Sequence, residues 1–219
     1  LDVPNTSGCL RPIQVIAPEG TIVNARRPAA VAAGNVETSQ RIVDVLLGAL
    51  AKACPDRIPA ASQGTMNNLT IGGWDQKRQK YFTYYETIGG GTGASKSSPG
   101  LSAVHSHMTN TLNTPVEAIE YSYPLRVMRY GVRQGSGGAG KQQGGNGIHR
   151  DIQVLCNAQI TVISDRRKIA PYGLTGGSAG TVGKNSLIRN SREIALDSKG
   201  TYFVESNDII SIQTPGGGG

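Results

Sequence analysis

Aromatic residues are scarce in this sequence: they make up 5% of its 219 residues, with one Trp and two Phe. A hydrophobic core must therefore be built from Val, Ile, Leu and Ala. Nucleic-acid binding typically needs a basic stripe with exposed aromatic side chains, whereas the 22 basic residues here are scattered in short groups. We expect no nucleic-acid partner. The net charge of +7 indicates a solvated basic surface that can meet an acidic partner or an anionic substrate.

Cysteine is also scarce, and long apolar runs are missing. Cys9, Cys54 and Cys156 are odd in number and far apart, which supports neither a disulfide framework nor a zinc ribbon. No apolar run approaches the roughly 18 residues of a membrane span, and no signal peptide opens the chain. We therefore expect a cytoplasmic protein without membrane contact. A start at Leu1 and a stop at "TPGGGG" suggest a fragment of something longer.

Glycine is plentiful, with 30 residues, and short alternating apolar runs separated by Gly, Asn and Ser fill the chain from Tyr123 onward. These runs predict an antiparallel β sandwich or a barrel-like element. Earlier in the chain, "PIQVIAPEGTIVN" predicts a strand, a turn and a second strand, and "KRQKYFTYYETI" predicts another strand.

Two helices interrupt this β pattern. A long one is predicted in "NVETSQRIVDVLLGALAKAC", where Ile42, Val45, Leu46, Ala49, Leu50 and Ala53 recur at helical spacing after a cap at Asn35 or Thr38. A short one is predicted in "TPVEAIEYS", with Thr114 as cap and Glu117 completing a capping box. The fold class is therefore α+β, mainly β. We treat residues 1–219 as one domain with a mixed α/β part (1–122) and an all-β part (123–219), the boundary being approximate.

Three glycine-rich stretches match motifs of catalytic or nucleotide-binding loops. "GSGGAGK", ending at Lys141, lacks the following Ser or Thr and the helix of a phosphate-binding loop, so a hairpin loop is favoured. Ser178 in "GGSAG" matches a nucleophile elbow, which needs a strand before the serine and a helix after it. Turn residues stand on both sides of Ser178 instead. "GGGTGA" has no helix after it, but its backbone amides can form an anion-binding nest at Gly89, Gly90, Gly91 and Gly93.

The stretch "VHSHMTNT" is the strongest candidate site. On a strand, His105 and His107 would point to one face and could clamp a substrate or bind a metal, although no third ligand is fixed by spacing. Two structural histidines on a strand are the alternative. The density of polar groups, including Thr109 and Asn110, favours substrate binding or proton transfer over metal ligation.

Ten blocks in order from Gly8 to Gly219 resemble the hydantoinase B/oxoprolinase family. They include "APEGTIVN", "ASQGTMNN", "YYETIGGGTGA", "VHSHMTNTLNTPVEAIE", "DRRKIAPYGL" and "TPGGGG". The resemblance covers nearly the whole chain and implies the C-terminal part of a subunit more than twice this length.

The resemblance implies a hydrolase that opens hydantoin, N-methylhydantoin or 5-oxoproline rings in a hetero-oligomer. ATP would be bound by a hydantoinase A-type ATPase subunit, which phosphorylates the amide oxygen before hydrolysis. Any divalent metal is expected on the N-terminal part of the same subunit, so no metal ligand is assigned here. His105, His107 and Asn110 are the expected catalytic residues, with Thr109 and the glycines at 89–91 and 93 binding substrate or anion.

Two other functions stay open at this point. One is an acetone-carboxylase-like α subunit, although "NTLNTPVEAIE" resembles the hydantoinase B pattern better; the other is a non-catalytic scaffold that docks the ATPase subunit. The sequence departs from the family pattern at Ala103, commonly glycine, at Asn146, commonly aspartate, and at Asp165, commonly glutamate.

Overall fold

The computed structural model describes residue 8 and residues 11–219. They fall into two compact units, Leu1–Ala32 and Ala33–Gly219. In the first unit, the expected strand–turn–strand is wrong, because residues 11–32 contain only an isolated bridge between Thr21 and Asn24. Ile13 and Val15 are exposed there. Two short segments do not form a stable hairpin without a further apolar surface to cover them.

The second unit contains nine described strands in two antiparallel sheets. The strands are β1 (Asn68–Asp75), β2 (Lys80–Thr87), β3 (Leu125–Arg133), β4 (Gly147–Val154), β5 (Ala158–Ile163), β6 (Lys184–Arg189), β7 (Arg192–Ala195), β8 (Lys199–Val204) and β9 (Ile209–Gln213). One sheet has the order β2-β1-β5-β8 and the other β3-β4-β9-β6-β7. The first sheet thus contains two strands from the expected mixed part (1–122) and two from the expected all-β part (123–219).

The core lies between the two sheets. Alternate residues of both sheets are buried, as in Leu69 and Ile71 of β1 and Ile210 and Ile212 of β9, and all four belong to one hydrophobic cluster. Sheets packed face to face bury one side of most of their strands, which explains the alternation seen in the sequence; β7 is the exception and is exposed throughout. The expected α+β, mainly β class is confirmed, and the described residues form a sandwich with no closed barrel.

The long helix, α1 (Ser39–Ala53), follows a π-helical turn at Gly34–Thr38. Its polar residues Gln40 and Asp44, and Glu37 in the preceding π-helical turn, are buried. The predicted apolar stripe points outward, with Val45 69% and Leu46 58% exposed. Gln40 Nε2 and Glu37 Oε1 hydrogen-bond neighbouring loops, which offsets part of the cost of burying these side chains.

The short helix, α2 (Val116–Ser122), begins one residue later than expected. Pro115 is its N-cap and no side chain caps it, so the predicted Thr114 capping box is not formed. The caps predicted for α1 at Asn35 or Thr38 also make no side-chain cap hydrogen bond. Ile119 of α2 is fully buried against the core between the sheets.

Extended, glycine-rich segments form a further layer, which we call the glycine bundle; it comprises residues 60–63, 89–94, 136–147, 171–183 and 215–219. Its central segment is "PGGGG". The amides of Gly217, Gly218 and Gly219 donate in turn to the carbonyls of Gly145, Ala61 and Ser178. Successive residues bond to different neighbours, as in a helix of three residues per turn rather than in a sheet.

Candidate functional site

The histidine loop, residues 104–113, is not a strand, and the expectation that its two histidines share a strand face is wrong. Val104 pairs with Gly90 in an isolated bridge, after which the chain turns. His107 has a φ of 57°. A left-handed residue cannot continue a β ladder, so the two imidazoles separate and contact different parts of the protein.

Side chains from α1 and β2 hold this loop in place. Gln40 Nε2 donates to the carbonyl of Ser106 at 3.1 Å and to the hydroxyl of Thr109 at 3.3 Å. At the other end, Asn113 Nδ2 donates to Glu86 Oε2 at 3.2 Å and to the carbonyl of Thr87 at 2.9 Å. Since these anchors sit on regular elements, the loop is positioned by the sandwich and by α1.

His105 faces a chain of hydroxyl groups. Its Nε2 lies 3.3 Å from the hydroxyl of Thr111, which in turn hydrogen-bonds the hydroxyl of Thr87. Its Nδ1 is buried and has no hydrogen-bond partner among the described residues. Burial lowers the pKa of His105 below the ordinary value of 6.5, so the imidazole is neutral at neutral pH and can accept a proton.

His107 lies in a charged cluster on the buried side of α1. Its Nε2 is 3.5 Å from Asp44 Oδ1, while Asp44 Oδ2 accepts hydrogen bonds from Arg41 and, at 2.8 Å, from Arg166. Burial, and then the positive charge of Arg41, lower the pKa of His107. The imidazole that contacts Asp44 is therefore neutral. The Asp44 carboxylate pairs with the guanidinium groups of both Arg41 and Arg166.

A buried ion pair lies behind the loop. Arg150 Nε and Nη2 donate to the two carboxylate oxygens of Glu86 at 2.9 and 3.0 Å, and the guanidinium stacks over the ring of Tyr130 at 4.4 Å. Tyr84 also donates to Glu86 at 2.7 Å. Because Asn113 bonds to the same carboxylate, this pair connects the core to the end of the histidine loop.

Thr109 and Asn110, the other expected site residues of this loop, differ in burial. Thr109 is buried and its hydroxyl donates to the carbonyl of Ser106, so it stabilises the loop. Asn110 is exposed. Its contribution to a site stays a prediction.

The glycines at 89–93 approach other backbone segments closely. The amides of Gly90, Gly91 and Gly93 donate to Val104, Pro215 and the hydroxyl of Ser62. These three amides already donate hydrogen bonds to protein acceptors. To bind an anion, they would have to break those hydrogen bonds. Gly90 is required by packing, since a Cβ there would overlap the side chain of Gln63.

"GSGGAGK" forms the β3–β4 connection, as expected of a hairpin loop. The amides of Ser136 and Gly137 donate to Asn146 Oδ1, each at 3.0 Å, so a side chain of this protein occupies the position that a phosphate would need. The loop therefore does not fit a nucleotide. Ala103 has a φ of 58°, a conformation that favours glycine.

The sequence interpretation missed the groups that α1 and the π-helical turn before it contribute. Glu37, Gln40 and Asp44 follow one another at helical spacing, and this polar stripe beside the apolar one was the available signal. Glu37 Oε1 accepts hydrogen bonds from Thr65, Met66 and Asn68, and burial raises the pKa of Glu37. Two ion pairs start from neighbouring residues of the "SDRRK" stretch: Arg166 pairs with Asp44, and Asp165 pairs with Lys199.

Residues 8 and 11–219 contain no group of three or more His, Cys, Asp or Glu side chains placed to hold a metal ion. Neither helix of the described part combines the length and hydrophobicity that a bilayer span requires. Cys54 and Cys156 are free thiols, and Cys9 lies outside the described residues.

Known proteins resemble this chain along its whole length. A family model described as Hydantoinase B/oxoprolinase matches residues 1–219. An uncharacterized protein of Methanocaldococcus jannaschii is 48% identical over 100% of this chain and 38% of its own length. A 5-oxoprolinase of Dictyostelium discoideum is 46% identical over 100% of this chain and 16% of its own length.

Among solved structures, the ATP-dependent caprolactamase of Pseudomonas jessenii superposes with a TM-score of 0.77 and 24% identity. The match covers 93% of this chain and 37% of that one. This likeness shows that the two proteins share the fold. The chain spans less than half of each of these three relatives.

Proposed function

Because the chain belongs to the hydantoinase B/oxoprolinase family, we propose that it forms part of an ATP-consuming enzyme that hydrolyses cyclic amides. The family match over all 219 residues carries this proposal. The similarity to a 5-oxoprolinase favours substrates such as 5-oxoproline, with hydantoin and N-methylhydantoin as chemically related rings.

An amide in a small ring resists water because its nitrogen lone pair is delocalised onto the carbonyl. Phosphorylation of the carbonyl oxygen by a hydantoinase A-type ATPase subunit would remove this stabilisation. The "GSGGAGK" loop does not fit a nucleotide, and we assign that step to the partner in a cytoplasmic hetero-oligomer. To this chain we assign binding of the ring and transfer of a proton.

His105 and His107 are the residues we assign to proton transfer. Both imidazoles have a lowered pKa and are neutral at neutral pH, so either can take a proton from an attacking water molecule. Thr111 and Asp44 orient them. Thr109 and Asn110, on the same loop, are assigned to positioning the substrate.

The test is ATP hydrolysis by the full-length subunit reconstituted with its ATPase partner. We expect 5-oxoproline, hydantoin or N-methylhydantoin to stimulate phosphate release and to yield the ring-opened acid. Stimulation only by acetone with bicarbonate would instead assign a carboxylase. Turnover on none of these compounds would contradict the proposal.

A further inference from the structure

Helix α1 presents an apolar surface that the described residues do not cover. Val45 and Leu46 are 69% and 58% exposed, and Leu50 and Ile42 on the same side are 50% and 41% exposed. Ile169, 75% exposed, lines a groove of about 490 Å³ together with Val45. We define these five residues as the α1 face.

This surface is not an ordinary solvated helix face. A helix on the outside of a protein normally turns its polar side to water, whereas α1 buries Gln40 and Asp44 and exposes leucine, valine and isoleucine. Contiguous exposed apolar surface of this kind marks an interaction site.

The same groove contains positive charge. Arg41 and Arg166 share the carboxylate of Asp44, and the exposed Lys168 lies on the groove wall. A covering segment rich in lysine or arginine would be repelled, so an apolar segment without basic residues suits this surface.

The lengths of the relatives identify the occupant. The chain accounts for 38% of the Methanocaldococcus jannaschii protein and 37% of the caprolactamase chain. More than half of each polypeptide therefore lies outside the part that corresponds to this chain, and it is tethered to it at a high effective concentration. A tethered segment is favoured over a second copy or a separate subunit.

We propose that the α1 face is the surface on which the rest of the full-length polypeptide packs, through an apolar segment. This contact would fix α1, and through Gln40 and Asp44 the histidine loop, in position. The inference concerns assembly and does not depend on which reaction the enzyme catalyses.

Thiol labelling of the full-length polypeptide, purified without its ATPase subunit and kept monomeric, tests this contact. Leu46→Cys is compared with Ala51→Cys on the buried side of α1 and with Lys77→Cys in the exposed β1–β2 turn. The labelled peptides are quantified by mass spectrometry, so native cysteines do not interfere. We expect Leu46→Cys to react at least about tenfold more slowly than Lys77→Cys and at a rate near that of Ala51→Cys.

Three results would overturn the proposal. The first is labelling of Leu46→Cys as fast as that of Lys77→Cys in the monomer. The second is protection that disappears on dilution, which would identify a second copy as the occupant. The third is protection that arises only when the ATPase subunit is added, which would identify that subunit.

Discussion

The pair of Glu86 and Arg150 shows how one buried interaction connects the core to the candidate site. Both side chains are almost fully buried and the pair is bidentate. We expect Glu86→Gln to lower the free energy of unfolding by about 3–5 kcal/mol, because it leaves the Arg150 charge buried without a counter-charge. Urea unfolding measures this loss.

The matched control is the exposed pair of Lys184 and Glu193, whose side chains are about half exposed. Glu193→Gln should cost less than about 1 kcal/mol, because exposed ion pairs contribute little. If both substitutions lowered the free energy of unfolding by the same amount, the Arg150 charge would have found another partner.

Glu37 gives a prediction about pH. Burial raises its pKa above the ordinary value of 4.5, so above pH 4.5 the folded protein binds more protons than the unfolded chain. Its contribution to the free energy of unfolding therefore falls as pH rises through this window. We expect Glu37→Gln to gain stability relative to the wild type as pH rises from 4.5 to neutrality, measured by urea unfolding at each pH.

The exposed Glu117 on α2 provides the control for this series. Glu117→Gln measures the background effect of removing an exposed carboxylate. Parallel pH profiles for the wild type and Glu37→Gln would show that Glu37 keeps an ordinary pKa in the fold.

The glycine bundle needs glycine for close packing of extended segments. A Cβ at Gly217 would overlap the carbonyl oxygen of Thr92, and backbone cannot move aside as a flexible side chain can. We expect Gly217→Ala to lower the free energy of unfolding by about 3 kcal/mol. The midpoint of urea unfolding reports the change.

Gly131 on β3 is the comparison for this substitution, because a Cβ there meets no atom within 4 Å and its φ is not positive. Gly131→Ala should leave the midpoint unchanged or raise it slightly, since alanine restricts the unfolded chain more than glycine does. If both variants unfolded at the same midpoint, the close packing of the bundle would not contribute to stability.

The elements that could be predicted from the sequence are those with a clear period. The alternation in "AQITVIS" predicted β5, and the apolar runs from Tyr123 onward predicted most strands of the second sheet. The strand β7 was missed because it is short and entirely exposed, so it shows no alternation between buried and exposed residues. The position of α1 was predicted, but its orientation was not, because the helix buries its polar side and exposes its apolar stripe.

At the level of the whole molecule, the candidate site depends on contacts between residues that are distant in sequence. Gln40 and Ser106 are 66 residues apart, and Arg166 and Asp44 are 122 apart. No periodicity encodes such contacts, so the sequence indicated the histidine loop but not the groups of α1 that hold it. The glycine bundle escaped prediction for a related reason, since extended segments outside sheets have no periodic pattern.

The most direct test of the account is amide-dependent ATP hydrolysis by the reconstituted full-length enzyme carrying His105→Gln or His107→Gln. His149→Gln is the control, because His149 lies on β4 beside Asp151 and outside the histidine loop. We predict that kcat falls about hundredfold or more in each loop variant, as expected for loss of a proton-transfer group, and is unchanged in His149→Gln. Full activity in both loop variants would contradict the account and leave this chain a scaffold.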